Sequence, residues 1–319
     1  MRAKYQRVYR FNRVLYQLNT INKTMLRCFL PKQIDCLRKA DSNDLLAVLP
    51  TAYGKSLIFQ ALPYLSDPPT QVIVASPLSA IILEQKQKLK DAAIVVNEEF
   101  VTALASSKPS DDVQRFCNGN FTYLLGHPEH LTLDKFLMEL KSIDAKFSHI
   151  VVDEAHCVLS YGVSDFRPAF LRLKYLKVFL PRCHILAMTA TASLPNSKKI
   201  AKELGMQDAL TVRLPPDRTN IFIGVHRRPP SVGSNTTVER SYDHQLDQII
   251  SELAADPEAF PKTIVYLPLK WCAYAHKKAC LALGIDFTGS DMTDEEGLIC
   301  TPVAQYHAAQ GTQVQYIFL

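Results

Sequence analysis

From about Pro31 onward, short apolar runs alternate with longer stretches of mixed polarity. LLAVLP (45–50), QVIVASP (71–77), FTYLLGHP (121–128), HIVVDEAH (149–156) and CHILAMTATA (183–192) are each rich in Val, Ile and Leu and end in Pro, Thr or an acid. Runs of that length and composition predict strands buried on both faces of a parallel sheet. Between them, Leu30, Ile34 and Leu37 keep helical spacing across PKQIDCLRKA, and LSAIILEQKQKLK sets Ile82, Gln85 and Leu89 on one side with lysines opposite. The alternation predicts an open α/β sheet whose ligands sit beyond the carboxyl ends of its strands.

After Leu214 the pattern changes. PPDR and RRPPSVGSNTT read as connecting segments, and Leu246, Ile249, Ile250 and Leu253 line one face of a helix. KTIVYLP (262–268) is predicted as a new strand, followed by a helix from Lys270 to Leu283. The expected divisions are a basic extension over 1–23, a first α/β lobe over 24–213, a linker over 214–240 and part of a second lobe over 241–319.

Composition narrows the class. With 319 residues, 47% of them hydrophobic and 21% charged, the chain buries a substantial core. No apolar run approaches the roughly 20 residues that cross a bilayer, and MRAKYQRVYRFNRVLYQL holds no secretory core, so neither membrane nor secretion is expected. Eight cysteines (28, 36, 117, 157, 183, 272, 280 and 300) form no C-x-x-C pair, which predicts reduced thiols rather than a zinc ribbon or a disulfide framework.

Charge is unevenly placed. Residues 1–40 hold ten Lys/Arg against one acid, Asp35, a net of +9, which leaves 26 against 30, or −4, over the rest. Tyr5, Tyr9, Phe11 and Tyr16 interleave with these cations. The segment therefore reads as a nucleic-acid-binding arm, a disordered tail or an Arg-rich transit peptide.

Two of the strand ends carry candidate chemistry. LLAVLP is followed by TAYGKS and then by the apolar helix pattern LIFQALPYL. A loop between strand and helix binds phosphates because its backbone N–H groups and the helix start face the anion, while a lysine neutralises charge. Thr51, Ala52, Tyr53, Gly54, Lys55 and Ser56 would form that cradle, with Lys55 on the phosphates and the Ser56 hydroxyl on Mg²⁺. At the end of HIVVDEAH, Asp153 is placed to hold Mg²⁺ and Glu154 to align and deprotonate an attacking water. His156 reads as a packing or hydrogen-bonding residue.

At this point the residues resemble the superfamily-2 helicases, and within them the RecQ DNA helicases. PTAYGKSLIFQALP is similar to the family's phosphate-loop motif, VASPLSAIILEQ (74–85) and LLGHPEHL (124–131) to its single-strand contact segments, VVDEAHCV (151–158) to its DEAH box and AMTATAS (187–193) to the motif after it. SYGVSDFRPAFLRLKYL (160–176) resembles the aromatic-rich loop that couples DNA to ATP hydrolysis in RecQ proteins; DFRP sets it apart from DEAH-class RNA helicases. FLPKQ (29–33) is similar to the adenine-reading motif, with Gln33 toward the base.

The resemblance implies two RecA-like lobes, ATP and Mg²⁺ as cofactors, single-stranded or forked DNA as partner, 3′-to-5′ unwinding, and work on nuclear DNA in repair or recombination; the basic N-terminus leaves mitochondria open. Tyr161 and Phe166 would stack on bases and Arg167 would meet phosphate or the nucleotide. Without the resemblance, Tyr161, Phe166 and Phe170 read as core.

The chain departs from the family at Ala52 (for Gly), Leu30 (for Arg), Tyr161 (for Trp) and Ser164 (for His). A residue at position 52 that needs φ > 0 would be strained as alanine. The sequence reaches GTQVQYIFL without motifs V and VI, and an arginine finger of the kind motif VI supplies contributes about 10³–10⁵-fold in related NTPases, so slow hydrolysis is expected. The competing reading is a nucleic-acid-binding module without turnover.

Overall fold

The structure, a computed structural model, describes residues 11–20, 27–143, 145–162, 166–215, 217, 220–225, 227, 235–284 and 303. These fall into two compact units that divide between residues 219 and 220.

The first unit is built on seven parallel strands: β1 (Leu45–Val48), β2 (Gln71–Ala75), β3 (Ala93–Val96), β4 (Tyr123–Gly126), β5 (Phe147–Val152), β6 (His184–Thr189) and β7 (Leu210–Arg213). Their order across the sheet is β3-β4-β2-β5-β6-β1-β7. Alternate residues of each strand point to opposite faces. Leu46, Val48, Ile73, Ala75, Ile150, Val152, Ile185 and Ala187 enter one core. Leu45, Ala47, Val72, Val74, Val151, Leu186 and Met188 enter the other. Both faces are covered by helices, which is why these strands read as continuous apolar runs.

β3 and β7 add to the five strands expected from the sequence. β3 is only AIVV, hidden behind the lysines that end the helix Ser79–Leu89, and β7 is an edge strand with exposed Leu210 and Thr211. Short, partly polar edge strands carry little periodic signal. Ile82, Gln85 and Leu89 are the buried residues of Ser79–Leu89, as their spacing predicts. On the helix Pro31–Ala40 the buried set is Gln33, Cys36, Leu37 and Ala40 instead of Leu30, Ile34 and Leu37; Leu30 is exposed before the first turn.

Residues 11–20 form a helix that packs on the first unit. Val14 and Leu18 are fully buried in the same core as Phe29 and Phe59, and the Phe11 and Phe29 rings meet edge-on at 6.2 Å. Arg13 donates to the Ser66 carbonyl at 3.0 Å and pairs with Asp67. A disordered-tail reading is thereby overturned for these residues, because the apolar side of the helix outweighs its charge; Tyr16 stays 71% exposed, and Tyr5 and Tyr9 lie outside the described residues.

The second unit contains the helices Asn235–Ala255 and Leu269–Leu283, joined by a small core of Tyr242, Leu246, Ile250 and Ala279 with Trp271 against it. The expected strand over 262–268 is not formed: Ile264 and Tyr266 are exposed, and no ladder pairs this run among the described residues. An apolar run becomes a strand only where a neighbour satisfies its N–H and C=O groups. No helix of the described residues is long and apolar enough to cross a membrane, and seven described cysteines are free thiols, with Cys36, Cys157, Cys183 and Cys280 buried.

Candidate functional site

β1 ends at Val48, and the chain turns over residues 49–54 into the helix Lys55–Ala61. Leu49 N–H donates to the Thr189 carbonyl at 3.0 Å, which ties the loop to the end of β6. Ala52 and Gly54 both take left-handed backbone, φ 63° and 75°. Two such residues in close succession curl the backbone into a concave row of N–H groups, the geometry of an anion cradle. Gly54 is held to glycine twice, since a Cβ there would lie 2.7 Å from Gln33 Nε2.

Gln33 is 3% exposed, and its three hydrogen bonds explain why. Its Oε1 accepts from Leu30 N–H at 2.7 Å, while Nε2 donates to the carbonyls of Tyr53 (2.9 Å) and Gly54 (3.2 Å). The side chain splices the Pro31–Ala40 helix to the cradle instead of facing solvent. Tyr53 packs against the adjoining core, whereas Thr51 and Ala52 are exposed; Lys55 and Ser56 are half-buried on the first helical turn. Lys55 Nζ rests 3.4 Å from the Leu49 and Pro50 carbonyls.

The acids of DEAH follow β5. Asp153 N–H donates to the Ala75 carbonyl at 2.9 Å, and its Oδ1 accepts from Glu154 N–H at 3.0 Å. Burial, then the neighbouring Glu154 charge, raises Asp153 to about 6, against a smaller opposing pull from Lys55. A buried carboxylate with this bias is satisfied by a bound cation, so the donor set fits a divalent metal. Glu154 sits at φ 46°. A hydrogen bond from His156, 3.2 Å away, holds its carboxyl below the ordinary value.

His156 ties two strand ends together. Its Nδ1 lies 3.0 Å from Thr189 Oγ1 at the end of β6, and Nε2 lies 3.8 Å from the Cys157 sulfur. The Cys157 sulfur and the Glu154 carboxylate raise the imidazole to about 10. Because β1 pairs with β6 and β6 with β5, the cradle, Thr189 and the two acids occupy the carboxyl ends of three adjacent strands.

A second cluster forms beyond β2 and β4. His127 Nδ1 donates to the Ser76 carbonyl at 3.0 Å, which leaves Nε2 to accept from Ser79 Oγ at 3.0 Å. Burial lowers the His127 pKa, consistent with a neutral ring. After the acids, residues Val158–Gly162 widen into a π-turn, a feature that often re-aims side chains near sites. Tyr161 is half-buried, 5.5 Å from the Phe166 ring and 6.0 Å from Phe170. Phe166 is 73% exposed and Phe170 1%, so the core reading holds for Phe170 and fails for Phe166. Ser164 lies outside the described residues.

Arg167 reaches neither the cradle nor the acids. It grips both Glu129 oxygens, at 2.6 and 2.7 Å, donates to the Pro77 carbonyl at 2.9 Å, and stacks 5.2 Å over Phe170. Glu129, His127, Ser79 and Thr189 are site-lining residues that the sequence reading did not single out. HPEH and TAT at strand ends mark three of these residues, but no spacing links Glu129 to Arg167.

The DEAD/DEAH box helicase family profile matches residues 30–200. ATP-dependent helicase SGS1 of Saccharomyces cerevisiae is 30% identical over 226 residues, 67% of this chain and 15% of that protein. ATP-dependent DNA helicase RecQ of Haemophilus influenzae is 30% identical over 182 residues, 57% of this chain and 28% of that protein. The chain thus spans well under half the length of these relatives. Among solved structures, Mycobacterium smegmatis helicase Lhr bound to ssDNA and AMP-PNP superposes with a TM-score of 0.56 at 19% identity, covering 90% of this chain and 39% of that one; at that identity the likeness concerns the fold.

Proposed function

Because the chain belongs to the DEAD/DEAH box helicase family, we propose that its first unit is the ATP-binding lobe of a RecQ-type DNA helicase, which couples ATP hydrolysis to 3′-to-5′ movement on single-stranded or forked DNA. The observation that carries the proposal is the convergence of the cradle, Thr189 and Asp153-Glu154 on the carboxyl ends of β1, β6 and β5.

Family members use ATP with a divalent metal, and here Ser56 and Asp153 are the residues to hold it as Mg²⁺. Lys55 would leave the Leu49 and Pro50 carbonyls for the β/γ-phosphates. Glu154, ionised beside His156, orients the attacking water and takes its proton. Mg²⁺ would supply charge neutralisation on the phosphates and relieve the cost of a buried Asp153 carboxylate. Gln33 acts first through the loop it holds; contact with adenine requires it to release the Tyr53 carbonyl. Exposed Phe166 offers a ring to unpaired bases, with Tyr161 behind it. Arg167 positions the loop through Glu129, and a contact with DNA phosphate requires that fork to open. Work on nuclear DNA in repair or recombination belongs to the same reading.

The test is steady-state ATP hydrolysis by residues 1–319 with and without single-stranded DNA, with Lys55→Ala as the blank. DNA-stimulated turnover above the blank supports the enzyme. Turnover equal to the blank with ATP still bound supports the non-catalytic nucleic-acid-binding module, and absence of ATP binding sinks the enzyme reading.

A further inference from the structure

Residues 166–202 contain eight Lys/Arg and no acid. With +8 here and +9 on residues 1–40 against +5 overall, the remaining residues carry −12. A run of 37 residues without one carboxylate, in a chain otherwise acidic beyond residue 40, is a segregation of charge that the motifs do not require.

The fold brings most of these cations to one flank of the first unit. The helix Leu194–Glu203 buries Ser197 and Ile200, with Leu204 at its C-cap, so Lys198, Lys199 and Lys202 face outward. Arg213 fixes the helix against β7 by donating to Ser197 Oγ at 2.6 Å and to the Ala192 carbonyl. Beside its end, the Lys174 Cβ lies 3.7 Å from where a side chain on Gly205 would start. Lys174 belongs to the helical stretch Ala169–Phe179, along with Lys177, which pairs with buried Asp44 and donates to the Cys183 carbonyl. Exposed Arg182 precedes that cysteine. Lys174, Arg182, Lys198, Lys199 and Lys202 are all exposed, and none makes an ion pair among the described residues. Glu203 and Asp208 are the first acids beyond the stretch.

We propose that this flank is a second nucleic-acid surface, separate from the strand-end site, which holds duplex DNA by its phosphates. The proposal rests on the reading of the chain as part of a DNA helicase. A ten-residue helix is about 15 Å long and rigid, while duplex DNA offers one negative charge per roughly 1.7 Å of its axis, so a row of lysines on one helix face meets several phosphates at once. A single strand calls for a groove with stacking rings, but the exposed ring here, Tyr175, lies 5.8 Å below its neighbour Lys174 on an open helix surface. Protein partners are usually met by rims of mixed polarity, and the exposed charged side chains of this flank are cationic as far as Glu203, the residue that ends the helix.

The experiment measures binding of a short blunt duplex to the full chain by fluorescence anisotropy over a salt series, comparing wild type with Lys198→Gln/Lys199→Gln/Lys202→Gln and with the corresponding Arg triple. If each lysine neutralises one phosphate, the slope of log affinity against log salt falls by about 2–3 in the Gln triple and is kept in the Arg triple. These are exposed positions, so melting temperature and ATP affinity stay at wild-type values. An unchanged slope, a loss confined to single strands, or a loss of polyglutamate binding with duplex binding intact would each overturn the proposal, the last in favour of an acidic protein partner. ATP binding by wild type against Lys55→Ala in the same samples reports separately on the helicase reading.

Discussion

Arg167 and Glu129, 38 residues apart in sequence, form a two-pronged ion pair at 2.6 and 2.7 Å. A third N–H of Arg167 reaches the Pro77 carbonyl. One guanidinium thus joins the loop after the DEAH box to the segments that follow β4 and β2. Although burial opposes ionisation of Glu129, the Arg167 pair holds its carboxyl below the usual range.

Arg167→Lys keeps the charge but loses the fork, so its effect should resemble Arg167→Ala more than wild type. We expect Arg167→Ala to destabilise the first unit by about 1–2 kcal/mol, since Glu129 is partly exposed and partly rescued by water. It should also lower the stimulation of ATP turnover by single-stranded DNA more than it lowers basal turnover. A double-mutant cycle with Glu129→Gln measures the coupling; additive effects would remove the clamp from the account.

Ala52 sits at φ 63°, a conformation that costs an L-residue roughly 1–2 kcal/mol and costs glycine nothing. Ala52→Gly should therefore stabilise the protein by about 0.5–1 kcal/mol after the extra chain entropy of glycine is counted. Thermal unfolding checks the sign, and a lower melting temperature would contradict it.

Removing the Gln33 amide leaves Leu30 N–H and two loop carbonyls without their partner. Gln33→Ala should cost about 2–3 kcal/mol and weaken ATP binding. Gln33→Glu should be worse, because a carboxylate replaces the donor that faces the Tyr53 and Gly54 oxygens. Equal stability of the Glu and Gln forms at neutral pH would show that the splice contributes nothing.

His149 gives the pH dependence. Burial lowers it from 6.5 to about 4. Its Nε2 bonds the Ala40 carbonyl at 2.9 Å. The unfolded chain binds the proton more readily than the folded one between these values, so the contribution is fully present above pH 6.5 and is lost as pH falls toward 4. At roughly 1.4 kcal/mol per pH unit the loss is of order 3 kcal/mol. Melting temperatures measured across that window should fall less steeply for His149→Leu than for wild type, although the variant starts lower through loss of the Ala40 bond.

Much of the site was legible before the fold. GKS after an apolar run and DEAH at the end of another place Lys55 and Asp153 at strand ends, because burial on both faces of a parallel sheet leaves a continuous apolar signature. The possible strain at position 52 was likewise readable from the residue type. KTIVYLP carries the same signature and forms no strand, because composition reports readiness to be buried and not whether a partner strand is present. Residues 11–20 mislead in the opposite direction: their charges are visible in the sequence, while the burial of Val14 and Leu18 depends on a core assembled from residues 29–65 and beyond.

The sequence by itself determined which residue types stand where strands end, and hence the chemistry available, since strand, loop and helix identity are set by local periodicity and turn residues. Only the tertiary structure decided that β6 lies between β5 and β1, bringing Thr189 between cradle and acids, that Gln33 is buried in the loop it supports, and that Arg167 is held by Glu129. Those outcomes depend on hydrogen bonds between groups 20 to 38 residues apart, or on strands paired across more than 100 residues of chain, and such pairings leave no period in the sequence to read.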